Sequence, residues 1–409
     1  MLTTRILIPL LFLLLLLGGC RQEDPANIAS GDATPPSVED ATPTLASLAP
    51  TATGAPATAT AVPASATPLP TETVPPSPSA TPTATIVRLQ AAADFGETRN
   101  PLTGEEVEDQ DVLNRRPIAV KVPNFPAGYV RPQSGLNQAD LVFEHITEGP
   151  ITRFTAIFYD ETPEDVGPIR SARLIDLELP AMYDAALAYS GSSIGVAQRL
   201  GDSDFRERIL RSNTPGYYRT GENKPYEHTL YGDPTLWWEA LAERGENRAP
   251  VLANYMAFSS EPPTGGEPVT HITVDYRGRA IADWDYDPEN GRYWRESDGE
   301  VHVDENTGEQ LNFANVVVVF AHHQINYSIC ETQIGDTCQA FSTEIQIWGE
   351  GPALIFRDGR QYEATWHRAQ REQPLTFTDA SGESIPLAIG NTWFQMVPDD
   401  YIDPVTVEP

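Results

Sequence analysis

The chain has 409 residues and is strongly acidic, with 27 lysines and arginines against 58 aspartates and glutamates and a formal net charge of −31 at pH 7. This charge disfavours binding to nucleic acid or to an anionic lipid surface. Only three cysteines are present, too few for a zinc site made of four cysteines, and their spacing excludes a CxxC redox motif.

The first twenty residues have the pattern of a secretory signal segment. Arg5 precedes a short apolar run that ends at Leu17-Gly18-Gly19-Cys20. This ending resembles the bacterial lipobox, which implies that Cys20 becomes the lipid-modified first residue after cleavage. The alternative is an ordinary signal peptide with an unmodified cysteine. With lipid attachment, the protein is expected to be extracytoplasmic and anchored to the cell membrane.

Residues 21–95 have the composition of a disordered stalk, because they consist mainly of Thr, Pro, Ala and Ser. Such a segment has little apolar surface to bury, so nothing offsets the conformational entropy lost on ordering it. Its prolines favour extended conformations, and its Ser/Thr/Pro content would permit O-glycosylation.

The remaining chain divides into two predicted parts. Residues 96–250 contain strand-like runs (RPIAVKV, ADLVFEHIT, ITRFTAIFY) followed by helical patterns (SARLIDLELPAMYDAALAY, VAQRLGDSDFRERIL, PTLWWEALAER). Residues 265–400 contain short strands separated by turns. The pattern predicts an α+β protein, with a mixed α/β N-terminal domain and a β-rich C-terminal domain.

Two cysteines lie in the second part. Cys330 and Cys338 are separated by ETQIGDT, which contains a Gly-Asp turn signal. In an extracytoplasmic protein a disulfide between them is the default expectation.

Several long motifs in the chain resemble the YerB-like bacterial lipoprotein family. They are RPQSGLNQADLVFEHITEGPITRFTAIFYDETPEDVGPIRSARLID in the first part and NVVVVF, GEGPALIFRDGRQYEATWHR and IPLAIGNTWFQMVP in the second. The resemblance implies a lipoprotein with a two-part α/β structure and a domain without an assigned activity. One departure is PYEHTLYG, where the family usually has a Pro-His-Asn type of motif, and Thr229 follows His228 here.

A set of polar residues in the first part is the leading candidate site. Arginine side chains at a helix N-terminus would bind a phosphate, carboxylate or sulfate, and Ser171 is placed as a helix N-cap. Alternatively, Glu144 and Glu148 pair with these arginines in a purely structural network. The candidate ligand-binding residues are Arg131, Glu144, Glu148, Arg153, Arg170, Ser171, Arg173 and His228.

A G-x-S-x-G sequence at 191–195 offers a catalytic alternative. In it Ser193 would be the nucleophile, His228 the base, and Asp202 or Asp233 the orienting acid. The competing interpretation is a Gly/Ser-rich loop, because the repeated βα units of an α/β-hydrolase are missing.

No metal or cofactor is predicted. The sequence contains no HExxH motif, and the EF-hand-like opening at Asp283 has Pro288 and Trp294 where glycine and glutamate are required. The leading interpretation is a non-catalytic protein that binds a cell-envelope glycan, another anionic ligand or a partner protein. The alternative is a serine-type hydrolase acting on an envelope polymer or ester.

Overall fold

The computed structural model describes residues 85–149, 151–278 and 280–409. The predicted signal segment, lipid attachment at Cys20 and the stalk through residue 84 lie outside these residues. The stalk was predicted to continue to residue 95, and this is corrected: Arg88 and Leu89 pair with a strand near residue 258, and Phe95 is buried. Within the described residues, no helix has the length and apolar character needed to cross a membrane.

Strands dominate the described structure. Nine of them precede residue 260: β1 (Arg88–Leu89), β2 (Ile118–Pro123), β3 (Leu141–Ile146), β4 (Thr152–Phe158), β5 (Ala186–Ala188), β6 (Ile209–Leu210), β7 (Tyr217–Arg219), β8 (Leu230–Gly232) and β9 (Phe258–Ser259). The later ones are β10 (Glu267–Pro268), β11 (His271–Asp275), β12 (Ile281–Asp287), β13 (Arg292–Ser297), β14 (Glu300–Val301), β15 (Asn312–Phe313), β16 (Asn315–Ile334), β17 (Thr337–Gln346), β18 (Gly349–Arg357), β19 (Arg360–Arg368), β20 (Thr376–Thr378), β21 (Leu387–Ala388), β22 (Thr392–Pro398) and β23 (Val405–Glu408).

The helices of the described residues are short, and all of them lie before residue 244. The α-helices are α1 (Ala92–Phe95), α2 (Ala127–Val130), α3 (Leu179–Met182), α4 (Ile194–Gly201) and α5 (Pro234–Glu243). The 3₁₀ segments are Gln110–Asn114, Leu136–Gln138, Leu174–Leu177, Arg206–Arg208 and Tyr226–His228.

One twelve-stranded sheet connects the two halves of the chain. Its main order is β10-β19-β18-β16-β22-β3-β4-β2-β5-β6, with β17 paired to β16 and β20 to β19. Late strand β22 pairs in parallel with early strand β3, so the two predicted parts share one sheet. A six-stranded sheet of β14-β13-β12-β11-β23 with β15 packs nearby, together with sheets of three strands (β1-β9-β21) and two (β7-β8).

The central strands are buried on both faces, which explains their continuous apolar sequences. On one face Phe143 stacks on Phe394, with their ring centroids 4.5 Å apart. On the other face Trp393 packs against Trp284 of the six-stranded sheet, at 5.4 Å. Two adjacent residues of one strand therefore lie in different environments, because successive side chains face opposite cores.

The helix predicted from Ser171 is wrong in extent. Residues 171–173 are not helical, the 3₁₀ turn Leu174–Leu177 and the four-residue α3 follow, and Ala186–Ala188 forms a strand. β5 pairs in parallel with β2 and with β6, so sheet pairing overrides the helical propensity of this alanine-rich segment.

A long hairpin extends from the main sheet. β16 leaves its partner β18 after Val319 and pairs with β17 from His322 onward, with register irregularities between Asn326 and Gln333. We call residues 322–346 the hairpin arm.

Candidate functional site

Strands β3 and β4 place polar side chains on both faces of the main sheet. His145 lies opposite Arg153 on one face, and Glu144 lies opposite Phe154 on the other. The eight candidate residues are therefore divided between two separate environments rather than gathered in one.

The first environment is the arginine cluster, which we define as Arg153, Arg170 and Arg173 with Glu148 and Glu331. Arg153 lies at its centre and is only 8% exposed. Its Nη1 donates to the carbonyl oxygen of Ser171 at 2.8 Å, and no carboxylate of the described residues lies within 4 Å of it. Burial, and then the charge of Arg173, lowers the pKa of Arg153 to about 9.

Arg173 has two carboxylate partners. Its Nε donates to Glu148, and Oε2 of Glu331 lies 3.5 Å from the same nitrogen. Glu331 belongs to the hairpin arm, its side chain is only 1% exposed, and its Oε1 accepts from the Ser193 hydroxyl at 3.2 Å. Sequence reasoning missed Glu331 because it lies 158 positions from Arg173 in the chain.

Arg170 has no carboxylate partner among the described residues. Its Nη1 donates to the carbonyl oxygen of Glu227 at 3.1 Å, and its Nε is buried without a hydrogen-bond partner in the described part of the chain. The neighbouring His228 stacks on Tyr129 at 5.6 Å, and its Nδ1 is likewise buried without a partner there. Burial, and then the charge of Arg170, lowers the pKa of His228.

Ser171 contributes through its backbone, which corrects its predicted role as an N-cap. Its carbonyl oxygen accepts from Arg153. The residue that precedes the 3₁₀ turn is Arg173, and its backbone N–H donates to the Asp176 carboxylate at 2.6 Å.

A buried lysine lies beneath the cluster. Lys121 Nζ donates to Asp176 at 3.0 Å and to Thr155 at 2.9 Å, and it contacts His145 Nε2. Burial lowers the pKa of Lys121 to about 8. Burial, and then the charge of Lys121, holds the pKa of His145 well below its usual range, so this imidazole is neutral. The sequence feature that could have identified Lys121 as a buried charge is its position inside the apolar strand RPIAVKV.

Glu144 belongs to the second environment, on the opposite face, and the predicted pairing with the cluster arginines is wrong for it. Its carboxylate pairs with Arg295 at 2.9 Å and accepts from Thr152 at 2.8 Å and from the Trp393 indole at 3.2 Å. Both charged side chains of this pair are fully buried.

Arg295 extends this network to the adjoining loops. Its Nη1 contacts Nδ1 of His302 at 2.6 Å, and Nε2 of His302 contacts Oε1 of Gln133 at 2.6 Å. We call these residues, with Glu144, the Glu144 network. Arg131 lies at its margin and donates to Asn124 at 2.8 Å and to Asp298 at 2.6 Å, so this candidate residue is separate from the arginine cluster.

The residues of the hydrolase alternative are not joined. Ser193 caps α4 by accepting from the Val196 N–H, and no hydrogen bond within the described ranges connects it to His228. Asp202 ends α4, and Asp233 caps α5 by accepting from an N–H of its first turn.

The hairpin arm contains the disulfide Cys330–Cys338, with an S–S distance of 2.08 Å. It directly precedes Glu331 and links the two strands that position this carboxylate. Across residues 85–149, 151–278 and 280–409, no group of three or more His, Cys, Asp or Glu side chains is arranged to hold a metal ion.

The comparisons with known proteins agree on one family. Residues 102–248 match the description "Protein of unknown function (DUF3048) N-terminal domain", and residues 272–394 match the corresponding C-terminal domain. The candidate lipoprotein YerB of Bacillus subtilis strain 168 is 32% identical over 305 residues, which cover 73% of this chain and 86% of YerB. The chain belongs to the YerB-like family.

A solved structure of this family has the same fold. The crystal structure of YerB from Bacillus subtilis matches with a TM-score of 0.62 at 29% identity, covering 76% of this chain and 99% of that chain. The two matched segments agree with the predicted two-domain arrangement of a YerB-like protein. In three dimensions, the strands of both segments form one sheet.

Proposed function

We propose that this YerB-like protein is a membrane-anchored extracytoplasmic lipoprotein whose folded body binds an anionic group of the cell envelope without catalysing a reaction. The anchoring is supported by the sequence Leu17-Gly18-Gly19-Cys20 and by the similarity to a candidate lipoprotein. The lipid on Cys20 would hold the body outside the cytoplasmic membrane.

One observation carries the binding proposal, namely that the buried Arg153 has no carboxylate partner among the described residues. A buried charge is costly unless it is paired, and a guanidinium has five N–H donors. Arg153 uses one nitrogen for a backbone carbonyl, and the neighbouring Arg170 has a buried Nε without a partner in the described part of the chain. An anion between these two side chains would provide the missing charge and acceptors.

The surroundings support binding rather than hydrolysis. The Ser193 hydroxyl donates to Glu331 and accepts from the first turn of α4, and no hydrogen bond of the described residues joins it to His228, the base that the hydrolase alternative requires. A cell-envelope glycan carrying an acidic group would supply such an anion, and so would an acidic segment of a partner protein.

Titration of the full-length protein in detergent with inorganic phosphate and with soluble acidic envelope glycans, followed by calorimetry, tests the proposal. We expect Arg153→Met to weaken binding at least about tenfold, because a charge-assisted bidentate contact is lost. Arg199→Met is the matched control, since Arg199 is 43% exposed and lies outside the cluster. Equal binding by wild type and Arg153→Met, with unchanged thermal unfolding, would remove the proposed site.

A further inference from the structure

The charges of the arginine cluster and its surroundings do not cancel. Lys121 and Asp176 balance each other as a buried pair, and His145 is neutral. Arg173 is shared by two carboxylates, which leaves one negative charge there. Arg153 and Arg170 have no carboxylate within 4 Å among the described residues and contribute two positive charges. The five charged side chains of the arginine cluster therefore carry a surplus of one positive charge, and the Glu227 carboxylate, which also acts on Arg170, is exposed to solvent.

The position of Glu331 is built into the fold. The hairpin arm brings it to the cluster, with the Cys330–Cys338 disulfide directly before it in the chain. Ile329 packs on Gly195 of α4, so closely that a Cβ on that glycine would lie 2.8 Å from it. With its side chain 1% exposed, and with Arg173 and Ser193 as partners, Glu331 is a fixed negative charge at the site.

We infer that the cluster takes a ligand group with a single negative charge, a carboxylate or a phosphodiester, and that Glu331 sets this limit. The inference rests on the proposed function and specifies the ligand class of the same site. One negative charge on the ligand neutralises the surplus. A second one would have no cation left to pair with and would face Glu148 and Glu331, and like charges brought together this way are unfavourable.

Three small probes separate the alternatives. Dimethyl phosphate and acetate each have one negative charge, whereas methyl phosphate has close to two at pH 7, because its second pKa is about 6. We expect the wild-type full-length protein in detergent to bind at least one of the singly charged probes about fivefold more tightly than methyl phosphate, measured by calorimetry at pH 7, where Lys121 is still charged. The tighter of dimethyl phosphate and acetate identifies a phosphodiester or a carboxylate as the natural group.

Substitution of Glu331 tests its role directly. Removing its charge strengthens the binding of each probe in proportion to the probe's own charge. Glu331→Gln should therefore shift the ratio of the affinities for singly charged probes and methyl phosphate about fivefold in favour of methyl phosphate. Glu344→Gln makes the same charge change on the hairpin arm, outside the cluster and 3.9 Å from Arg199, and should leave the ratio unchanged. If Glu331→Gln fails to fold, Glu148→Gln removes the other carboxylate partner of Arg173 and should produce the same shift.

The outcomes separate this inference from the proposed function. Binding of methyl phosphate by the wild type as tightly as the singly charged probes would overturn the single-charge limit and leave anion binding intact. An equal ratio in Glu331→Gln and Glu344→Gln would overturn the role of Glu331. Failure of every probe to bind to wild type and variants would overturn both the proposed function and this inference.

Discussion

The Glu144 network and the arginine cluster lie on opposite faces of the same two strands, β3 and β4, and they differ in whether a buried arginine is paired with a carboxylate. In the Glu144 network, Arg295 of the six-stranded sheet pairs with a carboxylate of the main sheet, and both side chains are fully buried. In the arginine cluster, the covering elements are the loop around Ser171, α4 and the hairpin arm. They offer Arg153 a backbone carbonyl but no carboxylate.

This difference separates a structural role from a binding role. Arg295 Nε is also buried without a hydrogen-bond partner among the described residues, but the charge of Arg295 is paired with Glu144. A buried ion pair helps to specify one arrangement of the core, and removing one partner leaves an uncompensated charge. A buried arginine without a carboxylate partner is unfavourable for folding alone. Such local inconsistencies are expected where a protein binds something.

The largest expected effect is in the Glu144 network. We expect Glu144→Gln to lower the free energy of unfolding by about 3–5 kcal/mol, because Arg295 is then buried without a counter-charge. Chemical denaturation measures this. The double variant Glu144→Gln/Arg295→Met should recover part of the loss. A change below about 1 kcal/mol in Glu144→Gln would contradict the structural role of the pair.

The second effect is a pH dependence from the same network. Burial, and then the charges of Arg295 and Arg131, holds the pKa of His302 well below its usual range. The unfolded chain therefore binds this proton first, and stability falls as the pH drops below about 6.5, by up to about 1.4 kcal/mol per pH unit. Denaturation between pH 7 and pH 5 should show a smaller loss in His302→Gln.

His271 provides a control of opposite sign for this measurement. Burial works against its protonation, but the hydrogen bond and charge of Asp285 prevail and raise the pKa of His271. Its contribution is present below about pH 6.5 and is lost as the pH rises through the raised pKa. His271→Gln should therefore lose stability mainly at low pH, and equal slopes in both variants would contradict the assignment to His302.

The smallest expected effect is on the stability of the arginine cluster. We expect Arg153→Met to change the free energy of unfolding by no more than about 1 kcal/mol, because the lost hydrogen bond is offset by removal of a buried unpaired charge. Thermal and chemical unfolding without ligand measure this. A decrease of about 3 kcal/mol or more in the free energy of unfolding would show that Arg153 has a structural role like that of Glu144, and would contradict the distinction between the two sites.

Several elements were predictable because their signals are local. The period-two patterns of β3 and β4, the helical patterns of α4 and α5, and the family motifs identify the fold class and the two segments. The prediction of a helix through Ala186–Ala188 was wrong because these residues pair with other strands of the sheet. The predicted end of the stalk was wrong because Arg88–Leu89 pairs with a strand that is distant in the sequence.

The sequence by itself determined the acidic character, the family and the residue types available for a site, because these depend on composition and on motifs that are continuous in the chain. Only the tertiary structure decided which charges meet. Glu144 and Glu148 are four positions apart, yet they lie in different networks and pair with Arg295 and Arg173 respectively. Alternation alone would place residues four positions apart on the same face, but β3 ends at Ile146, and Glu148 lies in the turn that follows and pairs with Arg173. The hairpin arm brought Glu331 to Arg173 from a distant part of the chain.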